Sequence, residues 1–66
     1  MNILLNNKEV ALSQDATLQQ LIEQTNLPTQ NIAIAVNNRL ILRDKWASTI
    51  LCEGDNVVAI AAAYGG

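Results

Sequence analysis

A chain of 66 residues, half of them hydrophobic and with a formal net charge of -2, has room for one small domain and one core. Such a domain buries only about 60% of the surface its unfolded chain exposes, so modest stability is expected. Its cations are Lys8, Arg39, Arg43 and Lys45, too few and too little grouped for binding along nucleic-acid phosphates.

Met1–Leu5 (MNILL) is apolar and ends at the polar turn Asn6-Asn7-Lys8. Glu9–Leu12 follows with Val10 and Leu12 in alternation, so the two runs read as a β-hairpin. In the next segment Thr17 and Gln20 have the T-x-x-Q spacing of a capping box, in which each side chain satisfies an otherwise unpaired backbone N–H. Leu18, Leu21 and Ile22 recur at helical spacing. Asn26 suits a left-handed C-cap, and Pro28 prevents continuation. This two-turn helix must borrow its stability from packing on a sheet.

Ile32–Val36 (IAIAV) predicts a strand with Ile32, Ile34 and Val36 on one face. Asn37-Asn38 turns the chain and Leu40–Leu42 returns it. Arg43–Ser48, polar around Trp46, reads as an irregular or single-turn helical connection. Glu53-Gly54-Asp55 forms another turn before a last strand over Asn56–Ala63. Five strands and one helix make an α+β domain spanning residues 1–66. One helix covers one face of the sheet, so the other stays at the surface and, where apolar, marks a docking place.

The chain then stops on Tyr64-Gly65-Gly66. Two adjacent glycines at one fixed position are a roughly 0.5% coincidence at ordinary glycine usage. Chain ends are commonly loose and without a role. The functional alternative is a thin, bendable tether with a carboxylate at its tip, able to enter a narrow active site of another protein.

The missing residue types point the same way. Without His, the commonest general base and metal ligand are both lacking. No glycine-rich loop leads into a Lys-Ser/Thr pair to cradle phosphates, and no base stands between the Ser and Asp residues to complete a relay. An enzyme with its own active site is disfavoured, and no metal or cofactor is expected on this chain. Cys52 stands alone, so no intramolecular disulfide forms, the usage of a reducing cytosol. A first strand starting at Met1 leaves no room for a signal peptide. The apolar run Val57–Tyr64 falls far short of the ~20 residues a membrane helix requires. A soluble cytoplasmic protein is the expectation.

Asn6, Asn37, the spacing Arg43-x-x-Trp46, the turn Gly54-Asp55 and the terminal Gly65-Gly66 together resemble the sulfur carriers of thiamine biosynthesis, the ThiS family. The resemblance runs the length of the chain. Tyr64 departs from it, being bulky where family tails often carry something small. The resemblance implies a β-grasp, ubiquitin-like fold: a five-stranded mixed sheet with one main helix packed on one face, its first and last strands adjacent and parallel. It also selects a phase that periodicity leaves open. Ile3, Leu5, Val57 and Ala59 would face the helix, and Leu4, Val58 and Ile60 would form an apolar open face for partner docking, with Tyr64 beside it.

The family chemistry, carried over by resemblance, puts the reaction at Gly66. A partner related to ubiquitin-activating enzymes, holding ATP and Mg²⁺, adenylates its carboxylate, and Gly65 gives clearance. Sulfur from a cysteine persulfide replaces AMP, and the thiocarboxylate is delivered to thiazole synthase. The nearest alternatives are the small subunit of molybdopterin synthase or another ubiquitin-like sulfur carrier. A non-covalent β-grasp interaction module, indifferent to its tail, is a reading of a different class.

The remaining residues invite plainer readings. Cys52 is expected as a small apolar filler beside a turn, with a sulfur relay as its alternative, and Trp46 as cover for the edge of the core, with a contact anchor as its alternative. Arg39, Arg43 and Lys45 either steer an acidic partner or line a solvated turn. Asp44, Glu53 and Asp55 read as turn residues.

Overall fold

The computed structural model, which describes residues 1–28 and 30–61, turns both of its hairpins on the same dipeptide. Asn6 and Asn7 adopt φ of 51° and 69°, and Asn37 and Asn38 repeat those values. Two successive left-handed residues are what a two-residue type I′ turn requires, and Asn tolerates that region better than most residues with a Cβ. The first hairpin pairs β1 (Asn2–Leu5) with β2 (Lys8–Ala11), Leu5 opposite Lys8. Met1 and Leu12 extend this ladder by exchanging two bonds, each of 2.7 Å.

The second hairpin joins β3 (Ile32–Val36) to β4 (Arg39–Ile41). The return strand therefore starts one residue earlier than the expected Leu40–Leu42. A two-residue turn sets Arg39 opposite Val36, which leaves Leu42 to cap the 3-10 helix Arg43–Ser48.

Helix α1 (Leu18–Gln24) opens with the expected capping box. Gln20 N–H donates to Thr17 Oγ1 at 3.2 Å, and Thr17 N–H donates to Gln20 Oε1 at 2.8 Å. At the other end Asn26 takes φ 57°, as its place after the helix predicts. Leu27 N–H then donates to Ile22 O at 3.2 Å and Asn26 N–H to Glu23 O at 3.4 Å, the two bonds of a Schellman motif. Leu18, Leu21 and Ile22 are each 0% exposed. Burial at about 1.5–3 kcal/mol per side chain stabilises a helix too short to persist alone.

The sheet runs β2-β1-β5-β3-β4, with β5 (Asn56–Ala61) at its centre. The last strand lies parallel to β1, Leu4 beside Asn56 and Leu5 beside Val57, and antiparallel to β3. Residues 62 and 63 of the expected strand fall outside the described residues. Ile3, Leu5, Ile34 and Val57 form the sheet side of the core, with Ala59 packed against it, so the phase taken from the resemblance is the one adopted. Alternate positions of the same strands point away from α1. The helix side adds Leu18, Leu21, Ile22, Trp46 and Leu51.

Trp46 sits inside the core at 2% exposure, with its Nε1–H donating to Ile41 O at 3.1 Å. Its place is deeper than an edge, and it offers no surface for a contact anchor. Cys52 is exposed, which corrects its reading as an apolar filler. Leu51 already fills the core position, and Cys52 begins the turn that follows. Asp55 closes that turn, donating N–H to Cys52 O at 3.0 Å and accepting from Cys52 N–H through Oδ2 at 2.8 Å. Gly54 supplies the φ of 83° that the turn needs. Among the described residues, no helix is long and apolar enough to cross a membrane.

Candidate functional site

The sheet face opposite α1 carries the apolar residues expected there. Leu4 is 39% and Ile60 61% exposed, and Val58 is half-buried between them. Strand register adds a residue that periodicity did not identify. Ala35 stands opposite Val58 on one side and Leu40 on the other, so Leu40 joins the row at 63% exposure. In the next row Ala33 stands opposite Ile60. Two alanines on β3, between β5 and β4, keep the face low between larger neighbours, leaving a shallow apolar saddle. Glu9, opposite Leu4, places a carboxylate at its rim. A two-residue turn at Asn37-Asn38 already implies the pairing of Ala35 with Leu40, so the signal was present once turn length was used.

The strand beneath this face is held by the first Asn of each hairpin turn. Asn6 N–H donates to Val57 O at 2.9 Å, the last backbone bond from β1 toward the end of β5. Its side chain reaches further along. Nδ2 donates to Ala59 O at 3.2 Å, and Oδ1 accepts from Ala59 N–H at 2.9 Å. A side-chain amide carries the same donor and acceptor as a peptide, so Asn6 occupies the place a further β1 residue would hold. Asn37 acts at the other end of the strand. Its Oδ1 accepts from Asn56 N–H at 2.9 Å, its Nδ2 donates to Asp55 Oδ1 at 3.0 Å, and its N–H donates to Asn56 O at 2.8 Å. Sequence reasoning used both residues as turn formers and as marks of a family pattern, without these bonds. Local periodicity carries no trace of bonds spanning 53 and 19 positions.

Tyr64, Gly65 and Gly66, the expected reacting and contact residues of the tail, lie outside the described residues. Arg39, Arg43 and Lys45 are exposed, Arg39 on β4 and the other two on the 3-10 helix. A groove of about 350 Å³ is lined by Val36, Asn37, Arg39, Ile41 and Thr49. That lining supplies one cation and two neutral polar side chains, without a general base or a nucleophile paired to one. Among the described residues, no three His, Cys, Asp or Glu side chains gather as a metal site.

The ThiS family model matches residues 2–66. The chain is 29% identical over 66 residues to the sulfur carrier protein ThiS of Escherichia coli (strain K12), covering 100% of both chains. Its fold is similar to the crystal structure of the thiamine biosynthesis protein ThiS from Geobacter metallireducens, with a TM-score of 0.86, 19% identity and full coverage of both chains. The solution structure of a thiamine biosynthesis protein from that organism gives a TM-score of 0.79 at 19% identity, over 100% of this chain and 88% of the other. A family pattern that reaches from the first strand through the last glycine, on a sheet with the same architecture, places this chain in the ThiS family.

Proposed function

We infer that this protein is a sulfur carrier of thiamine biosynthesis, a co-substrate that partner enzymes charge and unload. The observation that carries the reading is the family match over residues 2–66, which includes Gly65-Gly66. The whole-length relative that bears the name sulfur carrier supports it.

The chemistry follows from the inertness of a carboxylate, which is anionic and has no good leaving group. Attack of a Gly66 carboxylate oxygen on the α-phosphorus of ATP releases pyrophosphate and leaves an acyl-adenylate. A persulfide sulfur then adds to the acyl carbon and AMP departs. Cleavage of the S–S bond by a thiol leaves the thiocarboxylate, a soft sulfur nucleophile for thiazole synthase. ATP and Mg²⁺ belong to a partner related to ubiquitin-activating enzymes. Gly65 leaves the terminal carbonyl uncrowded, and Leu4, Val58 and Ile60, with Leu40 and Tyr64, form the docking surface. An exposed apolar face on the strand that leads into the tail supports that assignment.

The test is pyrophosphate release by the activating enzyme, with the intact chain and with one lacking Gly65-Gly66. Release that depends on the chain and disappears with the two glycines is expected. Release that survives the deletion, or never occurs, overturns the reading.

A further inference from the structure

We propose that Asn6 is a positioning residue for the charging reaction: its side-chain amide pins β5 at Ala59 and so fixes where the C-terminal segment leaves the sheet. This rests on the carrier reading above and extends it to a residue distant in sequence from the reacting end.

The placement is what singles out Asn6. Backbone pairing between β1 and β5 covers Leu4 with Asn56 and Leu5 with Val57, and the Asn6 N–H bond to Val57 O completes it. On its β1 side, the next stretch of β5 is held at Ala59 by the Asn6 amide, through bonds of 3.2 and 2.9 Å. Ala59 is two residues from Ala61, the last described position, and five positions separate Ala61 from Gly66. With Ala59 bonded to Asn6 on one side and β5 paired with β3 on the other, the end of β5 is held in one place relative to a partner seated on the open face. Preorganisation of this kind reduces the ordering that docking must otherwise supply. Asn37 provides the internal comparison. Its side chain also bonds β5, but at Asn56, the end remote from the tail, and its second bond goes to Asp55 just before the strand.

The experiment compares Asn6→Gly with Asn37→Gly. Glycine adopts a φ near 51° without steric cost, so each turn is retained and only the amide is lost. Three readouts are taken on the full chain: global stability, amide exchange at Ala59, and KM and kcat for pyrophosphate release by the activating enzyme. Net hydrogen bonds are each a factor of roughly 2 to 12 in an equilibrium. Ala59 exchange should therefore accelerate about tenfold in Asn6→Gly, and KM should rise about three- to tenfold with kcat unchanged. Asn37→Gly should lose comparable stability and keep the wild-type KM. An unmoved KM in Asn6→Gly, or an equal shift in both variants, overturns the positioning role while leaving the carrier reading intact. A wild-type chain that is never charged overturns both.

Discussion

Trp46 and Ile41 are joined by a hydrogen bond from the indole N–H to the backbone carbonyl, at 3.1 Å. The bond ties the 3-10 helix to the end of β4 and satisfies the only polar atom of the largest core side chain. Trp46→Phe should keep most of the packing and lose that bond, costing about 1–2 kcal/mol in urea denaturation. Trp46→Ala should cost about 3–5 kcal/mol. A domain of this size has a total stability on the order of 3–10 kcal/mol, so the alanine variant should be largely unfolded by circular dichroism.

The capping box at Thr17 gives a milder prediction. Thr17→Ala removes the Oγ1 acceptor of Gln20 N–H and should cost about 1 kcal/mol. In a domain this small that lowers Tm by about 4–8 °C. Thr17→Ser should restore nearly all of it in the same thermal melt.

Much of this architecture was legible because the chain marks its turns with residues whose chemistry is local. Asn6-Asn7, Asn37-Asn38, Asn26 and Gly54 all take the positive φ that their positions call for. Thr17, Gln20 and the Leu18-Leu21-Ile22 spacing specify the helix in the same local way. Strand neighbours are another matter. Alternation tells which residues share a face but not which strands adjoin, so the parallel pairing of β1 with β5 came from the family resemblance. The Asn6 amide lay beyond reach for the same reason, its partner Ala59 being 53 positions away. Cys52 was misplaced because a free cysteine commonly packs as a small hydrophobe, whereas here it begins a turn and is exposed. The tail chemistry was read from Gly65-Gly66 and the family pattern, with no help from packing.

The open face should discriminate between apolar surface that docks a partner and apolar surface that does not. Leu40, Ile60 and Ile50 have similar exposure, at 63%, 61% and 59%. Leu40 and Ile60 share the saddle, whereas Ile50 pairs with Thr17 at the start of α1. Leu40→Asp and Ile60→Asp should each raise KM for charging by tenfold or more, with little change in the melting curve. Ile50→Asp, measured in the same assay, should leave KM near wild type.

Clearance at the penultimate residue can be tested apart from docking. Gly65→Val places a branched side chain next to the terminal carbonyl and should abolish AMP transfer. Its circular dichroism spectrum and denaturation midpoint should match the parent chain. A normal rate of AMP transfer in this variant would remove the steric role assigned to Gly65.

The central claim, that sulfur is carried on the last residue, is most directly tested by intact-mass analysis of the protein isolated from its native cells grown without thiamine. The account predicts a species heavier by one sulfur-for-oxygen exchange, with the added mass mapping to the peptide that contains Gly66. A terminal peptide found only as the plain carboxylate, under conditions where the cells make their own thiazole, would contradict it.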